Sequence, residues 1–203
     1  MFRGLLLAAG ILRSLAAGTP EAVFTTAALA KDGRIFVSTV TRRPGWEPRA
    51  GLFAIHPDTL KRRRIPVPVD LSGRELWALI PLGSGRLLVV SQQTPEDGDA
   101  LQVHQVDPGT GLWLRLAILP ACVSATEIRL ERRRLVFLCE AGGAAPLQEE
   151  AVPLPEEAPA PGRLAPEAVE AQAGATRIRF TGLPFAWERL EVVRHGTVRR
   201  FRP

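Results

Sequence analysis

The sequence has no Tyr, one Met, two Cys and three His in 203 residues. It also has no Asn, and Lys occurs only at Lys31 and Lys61. Each shortage removes a class of chemistry. Two Cys and three scattered His offer no second ligand pair at zinc spacing. His56, His104 and His195 lie in no metalloprotease helix motif. No Ser stands in a nucleophile elbow, and no Gly-rich loop is built to cradle phosphate. The apolar run Gly4 to Leu12 is too short to span a bilayer, so no transmembrane segment is expected. The lack of Asn and near-lack of Met fit a heat-adapted protein.

What is present suits one folded domain. Hydrophobic residues make up 46% of the chain, enough for a sizeable core. The formal charge is +5, and 24 of the 26 basic residues are Arg. These Arg are spread along the whole chain. The runs Arg62-Arg63-Arg64, Arg132-Arg133-Arg134 and Arg199-Arg200 lie in strand-like segments, where alternate side chains face opposite ways. No run makes a single patch, and no aromatic pattern interleaves with them, so there is no specific nucleic-acid signal.

Residues 1–18, MFRGLLLAAGILRSLAAG, read as a secretory leader. Arg3 is the positive region, Gly4 to Leu12 the apolar core, and Ser14-Leu15-Ala16 or Ala16-Ala17-Gly18 a small-residue cleavage site. The alternative is an N-terminal helix or strand folded into the body. Export would place the protein outside the cell or in a periplasm; the alternative is the cytoplasm. Residues 19–203 read as one domain.

Four segments begin alike. They are GRIFVST from Gly33, GRLLVVS from Gly85, RRLVFLC from Arg133 and TRIRFTG from Thr176. Their starts are 52, 48 and 43 residues apart, a period typical of stacked arrays. An apolar segment and a turn precede each, such as Lys31-Asp32-Gly33 and Gly83-Ser84-Gly85. A second hairpin follows. Its tip is His56-Pro57-Asp58-Thr59 in one unit, Asp107-Pro108-Gly109-Thr110-Gly111 in the next and His195-Gly196 in the last. Pro fixes φ, Asp accepts backbone hydrogen bonds and Gly takes positive φ, so these are tight turns. Ile35 to Val37, Leu87 to Val90 and Leu135 to Leu138 are apolar on both faces. With no helical pattern to cover them, strands must pack on strands. The expected fold is all-β: a small propeller-like array of about four antiparallel four-stranded units.

The third unit reads as degenerate. Residues 141–175 form an insertion rich in Pro, Ala and Glu, with six Glu and one Arg, about −5 net. Such a composition buries little and suits a solvated loop.

The turns and the strand Asp32-Gly33-Arg34-Ile35-Phe36-Val37-Ser38 resemble blades of quinoprotein-like and gluconolactonase-like β-propellers. The likeness covers Ala22 to Glu140 and, more weakly, Gly174 to Pro203. It implies a hairpin geometry rather than a reaction. Lactonases of that kind hold a divalent metal with carboxylate and Asn side chains. This chain has no Asn, so their catalytic set does not carry over and no catalytic residue is assigned.

Loops joining the second and third strands of each unit should emerge on one face. That face gathers Arg42, Arg43, Trp46, Arg49, Gln92, Gln93, Phe185 and Trp187 as a ligand-binding set. Trp and Arg are frequent anchors of binding surfaces. The alternative is that Trp46 and Trp187 pack their loops onto the blades. Asp97 and Asp99 form a candidate calcium pair in an acidic turn; no other cofactor is implied. Cys122 and Cys139 either face each other as a disulfide or are buried thiols. Two functions follow: a non-catalytic module binding a protein or glycan, or a metal-dependent hydrolase of lactone-like or ester substrates. An open ring would leave edges to be covered, as by dimerisation.

Overall fold

In the computed structural model, residues 21–43, 45–92, 100–120, 122, 124–140, 146–155, 162–164, 170–183 and 186–203 are described. Unit one comprises β1 (Glu21–Leu29), β2 (Ile35–Arg43), β3 (Trp46–Ile55) and β4 (Arg62–Ile65). A 3-10 turn, Val69–Leu71, leads to unit two. That unit is β5 (Glu75–Pro81), β6 (Leu87–Gln92), β7 (Leu101–Asp107) and β8 (Leu112–Leu119). Unit three has β9 (Ser124–Leu130), β10 (Arg134–Glu140), β11 (Gln148–Pro153) and β12 (Gly162–Leu164). Unit four has β13 (Glu170–Ala173), β14 (Thr176–Leu183), β15 (Ala186–Arg194) and β16 (Thr197–Phe201). The architecture is all-β and propeller-like, as the repeat implies.

Units one and two are simple antiparallel meanders, β1-β2-β3-β4 and β5-β6-β7-β8. Unit three departs from this order: β12 returns to pair with β9 rather than β11. Pro153 and Pro155 end β11, because Pro supplies no ladder donor. The 141–175 segment is therefore not one unbroken loop. It supplies β11, β12 and β13, and it buries Val152 and Leu154. The candidate leader lies outside the described residues.

Consecutive apolar residues on the inner strands serve different seams. Ile35 and Val37 face unit four, packing with Ile178, Phe180 and Leu190. Phe36 faces unit two, with Leu87, Val89 and Val106. Leu88 and Val90 face unit three, with Leu135 and Phe137. The order in space is thus unit four, one, two, three. Backbone pairing of Phe24 with Trp187 joins units one and four into an eight-stranded sheet.

The two outer faces are polar. Unit four presents Arg177, Arg179 and Thr181 opposite its buried Ile178 and Phe180. Unit three presents Arg129 and Glu149, which form an ion pair. Among the described residues no buried apolar cluster joins units three and four, and the strands form three sheets, of eight, four and four strands. Terminal units with a polar outer face cap a stacked array.

Two of the three sequence-predicted tips are turns with matching hydrogen bonds. Asp107 Oδ1 accepts from the N–H groups of Gly109 at 2.7 Å and Thr110 at 3.3 Å. His56 Nδ1 accepts from Asp58 at 3.2 Å and Thr59 at 3.3 Å. An imidazole nitrogen thus does in one unit what a carboxylate does in the next. Gly111 takes a φ of 76°, and Leu60 takes 52° at the equivalent position. The tip of β15–β16 has positive φ at both His195 and Gly196, as a two-residue hairpin requires.

Candidate functional site

Antiparallel pairing sends the β2–β3, β6–β7 and β14–β15 connections to the same end of their sheets as the start of β5. Glu21 pairs with Arg42, and Arg43 with Trp46, closing the β2–β3 hairpin. Arg42, Arg43, Trp46 and Arg49 are all exposed there. Gln92 is half-buried opposite Glu75. Burial pushes the Glu75 carboxyl above its ordinary range, and the Arg42 guanidinium opposes that shift.

Trp187 does not belong to this surface. It is 1% exposed and lies stacked on Phe180, with ring centroids 5.3 Å apart. Its indole fills the seam between units one and four, where apolar area gains most by leaving water. Gln93, Phe185, Asp97 and Asp99 lie outside the described residues. Among the described residues no group of three or more His, Cys, Asp or Glu side chains is placed to hold a metal ion. Cys122 and Cys139 are bonded, and both are fully buried. The bond fastens the segment after β8 to β10.

Of the exposed residues, Trp46 and Arg49 border a cleft of about 500 Å³, and Arg42 and Arg43 do not line it. One wall is the start of β3, with Trp46, Glu47 and Arg49. The other is Arg64 at the end of β4 and the extended linker carrying Val67 and Val69. A backbone hydrogen bond from Ala50 N to Ser72 O, 2.6 Å long, ties the two walls together. Sequence reasoning missed the second wall. Arg64 reads as part of a solvated outer strand, and the prolines of Pro66-Val67-Pro68 were the available sign of an extended, strand-free segment.

Tryptophan usage singles out this cleft. Trp77 and Trp113 are half-buried, and Trp113 Nε1 donates to Pro66 O at 2.7 Å. Trp46 alone is 68% exposed.

The three His residues sit in turns or in packed seams. His56 and His195 form turns. His104 is 4% exposed, edge-on to Trp113. Burial, then Arg115, pushes its imidazole down to about 4; Asp70 opposes this and Arg74 adds to it.

The fold and cleft define an all-β, propeller-like repeat protein with an open, arginine-bordered surface cleft. No family profile matches the sequence, and no curated protein matches it. Solved structures match loosely over most of this chain. The acylaminoacyl peptidase of Pyrococcus horikoshii matches with a TM-score of 0.39 and 9% identity, over 89% of this chain and 32% of that one. A prolyl endopeptidase gives 0.42 and 13%, over 90% and 30%. Zg3597, a family 117 glycoside hydrolase of Zobellia galactanivorans, gives 0.42 and 10%, over 90% and 69%. The chain spans about a third of the two peptidase chains.

Proposed function

We propose that this chain is an exported, non-catalytic binding module whose contact surface is the cleft between β3 and the β4–β5 linker. The observation that carries this reading is Trp46, a large aromatic left in water beside two exposed arginines. Elsewhere the protein packs its tryptophans. An amphipathic ring held in the open on a hairpin is a typical anchor for a partner. The buried Cys122–Cys139 bond supports an oxidising compartment, where such bonds persist. Among the described residues no helix is long and apolar enough to cross a membrane.

A thermal-shift panel tests the reading, with calcium, a lactone set, soluble glycans and a polyanion as additives. A ligand that binds only the native state raises its stability by mass action. The expected result is a shift with one of the glycans or the polyanion that is lost in Trp46→Ala. A calcium shift abolished by changing Asp97 and Asp99, together with lactone turnover, would replace this reading with the metal-dependent hydrolase.

A further inference from the structure

We propose that the cleft takes an acidic saccharide, with a sugar ring on the Trp46 indole and its carboxylate between Arg49 and Arg64. This inference rests on the cleft being the contact surface.

The charge and the ring in the cleft lining carry it. Arg34 pairs with Asp32, Arg134 with Glu131, Arg177 with Glu170, Arg194 with Asp58 and Arg200 with Glu191. Arg49 and Arg64, like Arg43, Arg189 and Arg199, show no such pair among the described residues, and these two line the same cleft. Glu47 is the one carboxylate in the lining, so the cleft is net positive. A guanidinium fork matches a planar carboxylate with two parallel hydrogen bonds, and two guanidinium groups lining one cleft favour an anion.

The apolar parts set the shape of the ligand. Trp46 offers a flat plate, and Val69, 90% exposed, offers an apolar edge on the facing wall. A pyranose has an apolar C–H face and a polar rim, so it satisfies plate and forks together. A volume of about 500 Å³ lies in the range of small-ligand sites. Single-stranded nucleic acid asks for successive stacking platforms along a basic groove, and this cleft has one aromatic ring.

The test uses the full chain labelled with 5-fluorotryptophan, with the Trp46 resonance assigned by Trp46→Phe. The probes are tetragalacturonate, its full methyl ester and a short oligothymidylate. Tetragalacturonate should move the Trp46 resonance, and the ester should bind about tenfold more weakly. Arg49→Gln and Arg64→Gln should each weaken the acid roughly five- to tenfold and leave the ester unchanged. Thermal melts of both variants check that they fold. Equal affinity for acid and ester, or indifference to both substitutions, overturns the inference and leaves the cleft as a neutral contact surface. Tighter binding of oligothymidylate overturns it in favour of nucleic acid. An unmoved Trp46 resonance with every probe overturns it too. The contact-surface reading falls separately, if Trp46→Ala loses nothing in the thermal-shift panel.

Discussion

Arg194 grips Asp58 across 136 residues of sequence, Nη2 donating to Oδ1 at 2.8 Å. Its Nη1 donates to Thr176 Oγ1, also at 2.8 Å. The guanidinium so joins a β15 residue of unit four to the turn of unit one. Arg63 does the same one seam on, donating to the carbonyls of Pro108 and Gly109 in the turn of unit two. Asp58 is largely exposed, which screens the pair. Arg194→Ala should cost about 1–2 kcal/mol in urea unfolding. A double-mutant cycle with Asp58→Ala should show coupling of about 0.5 kcal/mol. Coupling near zero would reduce the contact to crowding. Gly33→Ala should also destabilise, because Gly33 holds a φ of 83°, which an L side chain adopts only with strain.

The Cys122–Cys139 bond spans 17 residues. A closed loop of that order stabilises by about 3 kcal/mol through the unfolded chain. Reduction, or Cys139→Ala, should lower the melting temperature by about 6–12 °C. A change under about 2 °C would show that packing of the two buried side chains suffices without the bond.

Acid should weaken the protein in a window set by His104. Its ordinary value is 6.5, and the folded protein lowers it to about 4. Between these values the unfolded state binds the proton more tightly, so stability rises with pH. The contribution is complete above about 6.5 and is lost as pH falls through about 4. Hydrogen bonds from Gly109 and Thr110 lower the Asp107 carboxyl, extending the acid loss below its ordinary 3.8. The raised Glu75 works the other way, favouring the fold below its ordinary 4.5 and less as pH climbs. His104→Gln should flatten the limb between pH 4 and 6.5, and Glu75→Gln should steepen it. Urea midpoints at three pH values read both; an unchanged limb in His104→Gln would assign the acid sensitivity elsewhere.

How much of this was legible beforehand depended on whether a residue's reason is local. Pro108, Asp107 and Gly111 specify a turn by their own backbone chemistry, and the turn is there. Two consecutive apolar residues such as Ile35 and Phe36 need cover on both faces wherever they lie, so stacked sheets followed. Trp187 has no local reason. Its burial comes from Phe24 and Phe180, which sit in other strands. β11 was hidden by an Ala, Pro and Glu composition poor in strand formers, and it is held by pairing with β10 and by Val152 and Leu154 in the core shared by units two and three. The second wall of the cleft was lost in a run of three arginines whose members turn out to have three different jobs. Arg62 lies over the Phe53 ring, Arg63 binds the neighbouring turn and Arg64 lines the cleft.

The paired turns allow a swap. Left-handed backbone at Leu60 costs about 1 kcal/mol, while burying its side chain returns about 2 kcal/mol. Leu60→Gly should therefore be net destabilising by about 1 kcal/mol or more. His56→Asp should be neutral within about 0.5 kcal/mol, since Asp107 already plays that part. A large loss in His56→Asp would mean that the imidazole does something besides accepting two N–H groups.

The edge of unit two stands out among the outer strands. β4 carries Arg62 to Arg64, β11 carries Glu149 and Glu150, and β16 carries Arg199 and Arg200. β8 has only Arg115 among exposed Leu112, Leu114 and Ile118. Charged edges resist pairing with another chain, and apolar ones invite it. Leu114→Lys should lower aggregation on heating, followed by light scattering, with the melting temperature held within about 2 °C. Unaltered aggregation would move the sticky surface to another edge.

The placement of tryptophan has an experimental consequence. Trp187 sits in the seam between units four and one, Trp113 packs at that between one and two, and Trp77 at that between two and three. Trp46 stands at the cleft. With no Tyr in the chain, ultraviolet emission comes from these four indoles with no phenol background. Four single-tryptophan versions would thus report, one optical channel each, whether the units come apart seam by seam or all at once, and whether the cleft notices.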